Sequence, residues 1–175
     1  MLEAKTSLLL AIDFQARLTP AIEGADEVLL NAGRLARAAA LLDVPTLWTE
    51  QNPTKLGGTV DALAPPPQAV VHKMTFDATR APALMPRLPE GRTLVVIGCE
   101  AHVCVLQTVL GLIDRGRRVA VVADAIGSRR RANKEAGLAR MARAGADVVT
   151  TEMVVFEWLG SADHPRFREV VALIK

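Results

Sequence analysis

Three short runs of this chain are apolar almost without a break: Ser7 to Ile12, Thr93 to Ile97 and Arg118 to Ala123. A half-buried strand alternates apolar with polar residues, so an unbroken run marks a strand covered on both faces. Strands of that kind belong to parallel sheets, whose crossover connections lay helices above and below.

Between the runs the apolar period becomes helical. From about Asp26 to Leu42, Val28, Leu29, Ala32, Leu35, Ala36, Ala39 and Leu42 fall on one stripe. Further helices are expected at roughly 80–86, from His102 to Asp114, from Ala132 to Ala144, and over 152–159 and 164–174, the last with Pro165 in its first turn. Three more strands are expected at Pro45 to Thr49, Ala69 to Lys73 and Ala146 to Thr150. Residues 50–69 carry no period and hold Pro53, Gly57, Gly58, Pro65, Pro66 and Pro67, which predicts a long loop. Strands alternating with helices predict a three-layer α/β/α fold around a doubly wound, mainly parallel sheet of about six strands. With 175 residues, the whole span 1–175 reads as a single domain.

Apolar residues make up 50% and charged residues 23%, a globular balance. The formal charge of +2 gives no basis for nucleic-acid binding. The run Arg129-Arg130-Arg131 reads as a solvated cluster before a helix, with an anion contact as the minor alternative. The two cysteines, Cys99 and Cys104, are not spaced as C-x-x-C, which argues against a disulfide framework or a zinc site. Free thiols suit a reducing, cytoplasmic setting. The N-terminus enters a strand with no signal-peptide pattern, and no apolar run is long enough to span a membrane.

In a doubly wound sheet, ligands sit outside the C-terminal ends of the strands. Asp13, the segment Trp48 to Gln51, Lys73, the turn Gly98 to Cys104, and Asp124 all fall there. The turn Asp13 to Arg17 has no glycine to let a backbone approach a pyrophosphate, and there is no P-loop. Asp13, Lys73 and Cys104 suit a different chemistry. A carboxylate can take a thiol proton and return it to a leaving group. An ammonium stabilises both anions. Backbone N–H groups at the start of the 102–114 helix favour a thiolate at Cys104. Together these make an acyl-transfer site. Each residue also has a plainer role: Cys104 as a small core residue, Asp13 as a turn former, Lys73 as a solvent-facing lysine beyond an edge strand. Cys99 and Trp48 read as packing residues, Glu100 as a backbone donor, and Asp124 as a tie for a turn. His102 fits either a base or a structural, helix-start histidine. Phe14, Gln15, Arg17, Gln51 and Phe76, with His102 at the rim, are pocket candidates by position.

The segments Leu9 to Gln15, Lys73 to Phe76, Val96 to Thr108 and Val122 to Ala125 resemble the isochorismatase-like cysteine hydrolase superfamily, nearly end to end. Thr49-Glu50-Gln51 is similar to the small isochorismatase-domain hydrolases. The resemblance implies Cys104 as nucleophile, Asp13 as general acid/base and Lys73 as its electrostatic partner. It implies a cis bond between Cys99 and Glu100, and an oxyanion hole formed by the N–H groups of Glu100 and Cys104. It also implies a homodimer or homotetramer; the low charge of the 152–160 helix agrees with a buried interface or, equally, with core packing. Two departures stand out. The Asp-x-His metal pattern of nicotinamidases is replaced by Thr49-Glu50-Gln51-Asn52, with no histidine before His72, so neither a metal nor a cofactor is expected. Ala101 stands where the family often has threonine. True isochorismatases lack the cysteine, so Cys104 argues against vinyl-ether hydrolysis. The expected activity is thiol-dependent hydrolysis of a small amide or related C–N or ester bond through a thioester. The alternatives are a nicotinamidase-type amidase, or a non-enzymatic thiol redox sensor or binding module on the same fold.

Overall fold

The computed structural model describes residues 1–175. Its sheet has six strands: β1 (Ser7–Ile12), β2 (Thr46–Gln51), β3 (Val70–Lys73), β4 (Thr93–Cys99), β5 (Val119–Gly127) and β6 (Asp147–Val149). They lie in the order β3-β2-β1-β4-β5-β6, every pair parallel. The helices are α1 (Ala25–Leu41), α2 (Pro53–Leu56), α3 (Leu106–Ile113), α4 (Arg131–Arg143), α5 (Thr151–Leu159) and α6 (Phe167–Val171). The strand order reverses between β1 and β4, the switch point where such folds open a crevice.

The apolar runs of β1 and β4 split into two interleaved sets. Leu9, Ala11, Val95 and Ile97 enter one core with Leu35 and Ala39 of α1 and Val154 and Trp158 of α5. Leu8, Leu10, Ile12, Leu94 and Val96 enter the other with Val109 and Leu112 of α3 and Met141 of α4. Both strands are buried along their whole length, as unbroken runs require. Burying each large aliphatic side chain contributes about 1.5–3 kcal/mol.

Several expected elements take a different form. Residues 80–86 make no helix; two 3-10 turns, Ala78–Arg80 and Met85–Arg87, stand there instead. Pro82 and Pro86 remove donors, and Ala81, before Pro82, takes an extended conformation. The 50–69 loop is partly folded, since β2 runs on to Gln51 and α2 follows. The C-terminal helix shrinks to Phe167–Val171. β5 continues past Asp124 to Gly127, with a register irregularity opposite Val96 and Gly98. There Asp124 accepts hydrogen bonds from the N–H and hydroxyl of Thr151 at 2.8 and 3.0 Å, tying down the start of α5.

Two glycines set the spacing around the switch point. Gly98 has φ of 138°, and a Cβ there would lie 2.1 Å from the carbonyl oxygen of Ile12. A Cβ on Gly137 of α4 would lie 2.9 Å from the carbonyl oxygen of Ala101. Only glycine allows either approach.

Candidate active site

Ile12 pairs with Thr49 on one side and Gly98 on the other, so the residues that follow β1, β2 and β4 emerge together. Asp13 leaves the sheet at once. Its φ is 55°, a left-handed conformation that aspartate tolerates better than most residues. Its N–H still donates to the Thr49 carbonyl at 3.1 Å.

β3 brings Lys73 to the same place through its pairing with Gln51. The Lys73 ammonium lies 2.6 Å from Asp13 Oδ2, both side chains having zero exposure. It also donates to Gln51 Oε1 at 2.9 Å. The hydroxyl of Thr49 donates to Asp13 Oδ1 at 2.7 Å. Removing two charges from water is expensive unless their remaining polar atoms are satisfied. Here no buried side-chain nitrogen or oxygen lacks a partner.

Cys104 stands in a widened turn, Ala101–Val105, that precedes α3. The N–H groups of Val103 and Val105 both close onto the Glu100 carbonyl, at 3.0 and 3.2 Å, and that of Cys104 does not. The N–H of Glu100 donates to no backbone or side-chain acceptor in the chain. The peptide bond between Cys99 and Glu100 is cis.

Asp13 and Lys73 both stand beside the Cys104 thiol and act on its ionisation in opposite directions. Burial and then the Asp13 charge push the thiol up to about 12, against the pull of Lys73. Burial and the Asp13 charge thus oppose the thiolate that the helix start is expected to favour, and Lys73 supports it. Burial also raises Asp13, outweighing Lys73 and Thr49. A carboxylate displaced in that direction is a better proton acceptor. Cys99 is pushed up to about 12 by burial and packs in the core.

The remaining candidates separate. Phe14 is buried against Trp48 with ring centroids 6.3 Å apart. Gln15 is fully buried and turns inward, its Oε1 accepting from the Gln51 N–H at 2.7 Å. Gln51 is likewise tied inward, to Lys73 and to the Met74 carbonyl at 2.7 Å. Arg17 lies at the surface, donating to the Lys55 carbonyl at 2.8 Å. The His102 ring has a partner at each nitrogen, with Nδ1 3.0 Å from Ser128 Oγ and Nε2 3.4 Å from Asn133 Nδ2. Phe76 is 52% exposed and borders a cavity of about 540 Å³ with Met74, Arg80, Gln107 and Leu110. The Glu100 carboxylate accepts from the backbone N–H and Nε of Arg129, both at 3.0 Å. Glu50 accepts from the N–H and hydroxyl of Thr59 at 2.7 and 2.9 Å, and pairs with His72 at 3.2 Å. No three His, Cys, Asp or Glu side chains gather where they could hold a metal ion.

Thr49 was not among the sequence candidates as a partner of Asp13. Its signal was positional: it ends the strand that pairs with β1.

The strand order and the groups gathered at its reversal define a doubly wound α/β protein with a strand-end site. The Isochorismatase domain matches residues 7–153, and the chain belongs to that family, whose members are generally hydrolases. It is 38% identical over 173 residues to Isochorismatase domain-containing protein 2 of Macaca fascicularis, covering 97% of this chain and 83% of that one. The structure of MAR1 ribonuclease from Caenorhabditis elegans is similar with a TM-score of 0.92 and 34% identity, covering 99% of this chain and 91% of that one. The YcaC gene product of Escherichia coli, described as an octameric hydrolase of unknown specificity, shares the fold with a TM-score of 0.82 at 23% identity, covering 99% and 86% of the two chains.

Proposed function

We propose that this protein is a cysteine hydrolase acting on a small amide or a related C–N or ester bond. The observation that carries the reading is a fully buried Asp13–Lys73 ion pair, at 2.6 Å, beside the Cys104 thiol. An ion pair so completely withdrawn from water is an expensive way to hold a fold together, and replacement by apolar residues is often neutral or stabilising.

The chemistry follows from the protonation states. Asp13 takes the Cys104 proton as the sulfur attacks the substrate carbonyl carbon. Lys73 balances the charge that moves between them. The carbonyl oxygen becomes an oxyanion, received by the N–H groups of Glu100 and Cys104. Asp13 then protonates the departing nitrogen or oxygen, the C–N or C–O bond breaks, and a thioester remains on Cys104. A water that gives a proton to Asp13 attacks the thioester carbonyl, the C–S bond breaks to release the acid, and Asp13 returns that proton to the Cys104 sulfur. Each step conserves charge in the site, and no cofactor enters.

Small amides and esters incubated with the protein should be turned over by the native chain and not by Cys104→Ala, which keeps the fold. Turnover retained in Cys104→Ala would overturn the reading. Asp13→Asn should be equally inactive, because an amide cannot carry the proton. RNA cleavage belongs in the same assay, since ribonuclease is the activity named for the Caenorhabditis structure. Cleavage of RNA that survives Cys104→Ala, with no amide or ester turned over, would replace this proposal. We also assign the protein to a homo-oligomer; sedimentation should show a species larger than one chain.

A further inference from the structure

We infer that Gln51 is a positioning residue for Lys73, and that it holds the ammonium in place while that cation's anionic partner changes from the Asp13 carboxylate to the Cys104 thiolate. The inference rests on the proposed roles of Asp13, Lys73 and Cys104 and adds a residue and a task to them.

The orientation of the Gln51 amide is set by its surroundings. Its Nε2 donates to the Met74 carbonyl at 2.7 Å, so its Oε1 must face Lys73, at 2.9 Å. An amide turned the other way would set a donor against the ammonium and an acceptor against a carbonyl. The backbone of Gln51 is fixed as firmly. Its N–H donates to Gln15 Oε1 at 2.7 Å, and its carbonyl accepts from Gln15 Nε2 at 3.0 Å. The same Nε2 donates to the Gly57 carbonyl at 2.6 Å, which uses both of its hydrogens and joins the pair to the turn after α2. Gln51 is therefore a rigid acceptor, held at both ends of its side chain.

Such an acceptor suits a cation whose counter-ion is transient. When Asp13 takes the thiol proton, the 2.6 Å ion pair becomes a contact with a neutral acid. An ammonium anchored by Asp13 alone would lose its anchor in the same step that creates the thiolate. Gln51 is neutral in both states, so it keeps the ammonium beside the sulfur without competing for its charge. A carboxylate at that position would compete.

The test uses no substrate. The rate of Cys104 alkylation by iodoacetamide is followed against pH in the full-length protein, with the site of labelling read by mass spectrometry. Gln51→Met fills the same space without an acceptor. Losing one hydrogen bond to a charged group should lower the rate near neutral pH by about tenfold or more, and should move the pH profile upward. Thr59→Val, which loosens the 53–60 segment without touching Lys73, should lower the melting temperature and leave the profile in place. If Gln51→Met does not fold, Gln51→Glu is read in the same way; its added negative charge beside Lys73 should also move the profile upward. A folded Gln51 variant with an unmoved profile would overturn the inference. Lys73→Met separates this failure from failure of the underlying reading. If Lys73→Met moves the profile and the Gln51 variants do not, only the inference falls. If neither moves it, Lys73 does not act on Cys104 and the proposed chemistry falls as well.

Discussion

The Thr49 hydroxyl has one hydrogen-bond partner, Asp13 Oδ1, at 2.7 Å. Thr49→Val keeps the shape and leaves that oxygen one donor short, which should destabilise the fold by about 1–3 kcal/mol. The bond lowers the Asp13 pKa, so its loss should move the acidic limb of the pH–activity profile to higher pH. Denaturant unfolding and a pH profile read the two effects separately. The thiols make a second prediction. Cys99 and Cys104 stand at about 12 in the fold against 9.0 in an ordinary thiol. A folded-state value above the unfolded one gives stability that is whole below pH 9.0 and is lost as pH rises toward about 12. The chain has no tyrosine, so thiolate absorbance near 240 nm can be followed without tyrosinate beneath it. Absorbance should stay low at neutral pH and rise only under strong alkali, and Cys104→Ala should lose less stability over that range than the native protein. Substantial thiolate absorbance at neutral pH would contradict both statements. The candidate groups were legible in the sequence because Asp13 and Lys73 fall at strand ends and Cys104 in the turn that follows β4. The protonation of Cys104 was not, because it depends on burial and on a cation already committed to Asp13. Nor was the task of Gln51 or Thr49, which follows from which strands lie side by side.

At the scale of the element, β1 and β4 approach so closely that Gly98 cannot carry a side chain. Gly98→Ala would set a methyl 2.1 Å from the Ile12 carbonyl oxygen in a backbone conformation unsuited to alanine. We expect a loss beyond about 4 kcal/mol, seen as insoluble expression or as a soluble chain without a cooperative thermal transition; a well-folded Gly98→Ala protein would show that the two strands can separate. The strands were readable from their unbroken apolar runs. The connections were less so. The 80–86 segment has helical composition but is interrupted by Pro82 and Pro86, and the start of the 102–114 helix widens because Val103 and Val105 share the Glu100 carbonyl. Asp124 read as a strand end because it is charged, whereas it sits inside β5 with its carboxylate spent on Thr151.

Across the whole molecule, the sheet order brings residues 60 apart in sequence into a wholly buried ion pair. Removing Lys73 alone, as Lys73→Met, leaves a buried carboxylate unpaired and should destabilise the protein by about 3–5 kcal/mol. For a chain of this size that corresponds to a fall in melting temperature of about 2–4 °C per kcal/mol. The double variant Asp13→Asn/Lys73→Met should be more stable than Lys73→Met, since neither charge is then stranded. Calorimetry on the set closes a double-mutant cycle, and strictly additive losses would mean that the two charges do not interact as the geometry requires. The layered architecture and the parallel sheet were legible because helix and strand periods alternate along the chain. The reversal between β1 and β4, which gathers the site, was inferred from the architecture and becomes concrete only in the pairing of Ile12 with both Thr49 and Gly98.

The close approach of Gly137 to Ala101 reaches beyond packing. The turn that carries Cys104 rests with its back against the bare backbone of α4, as a watch movement rests against its plate. The backing of the turn that seats the sulfur is therefore the α4 backbone at Gly137. A single methyl on that plate, Gly137→Ala, would push the turn by tenths of an ångström and carry Cys104 with it while Asp13 and Lys73 stay in place, turning the depth of the nucleophile into something that can be adjusted.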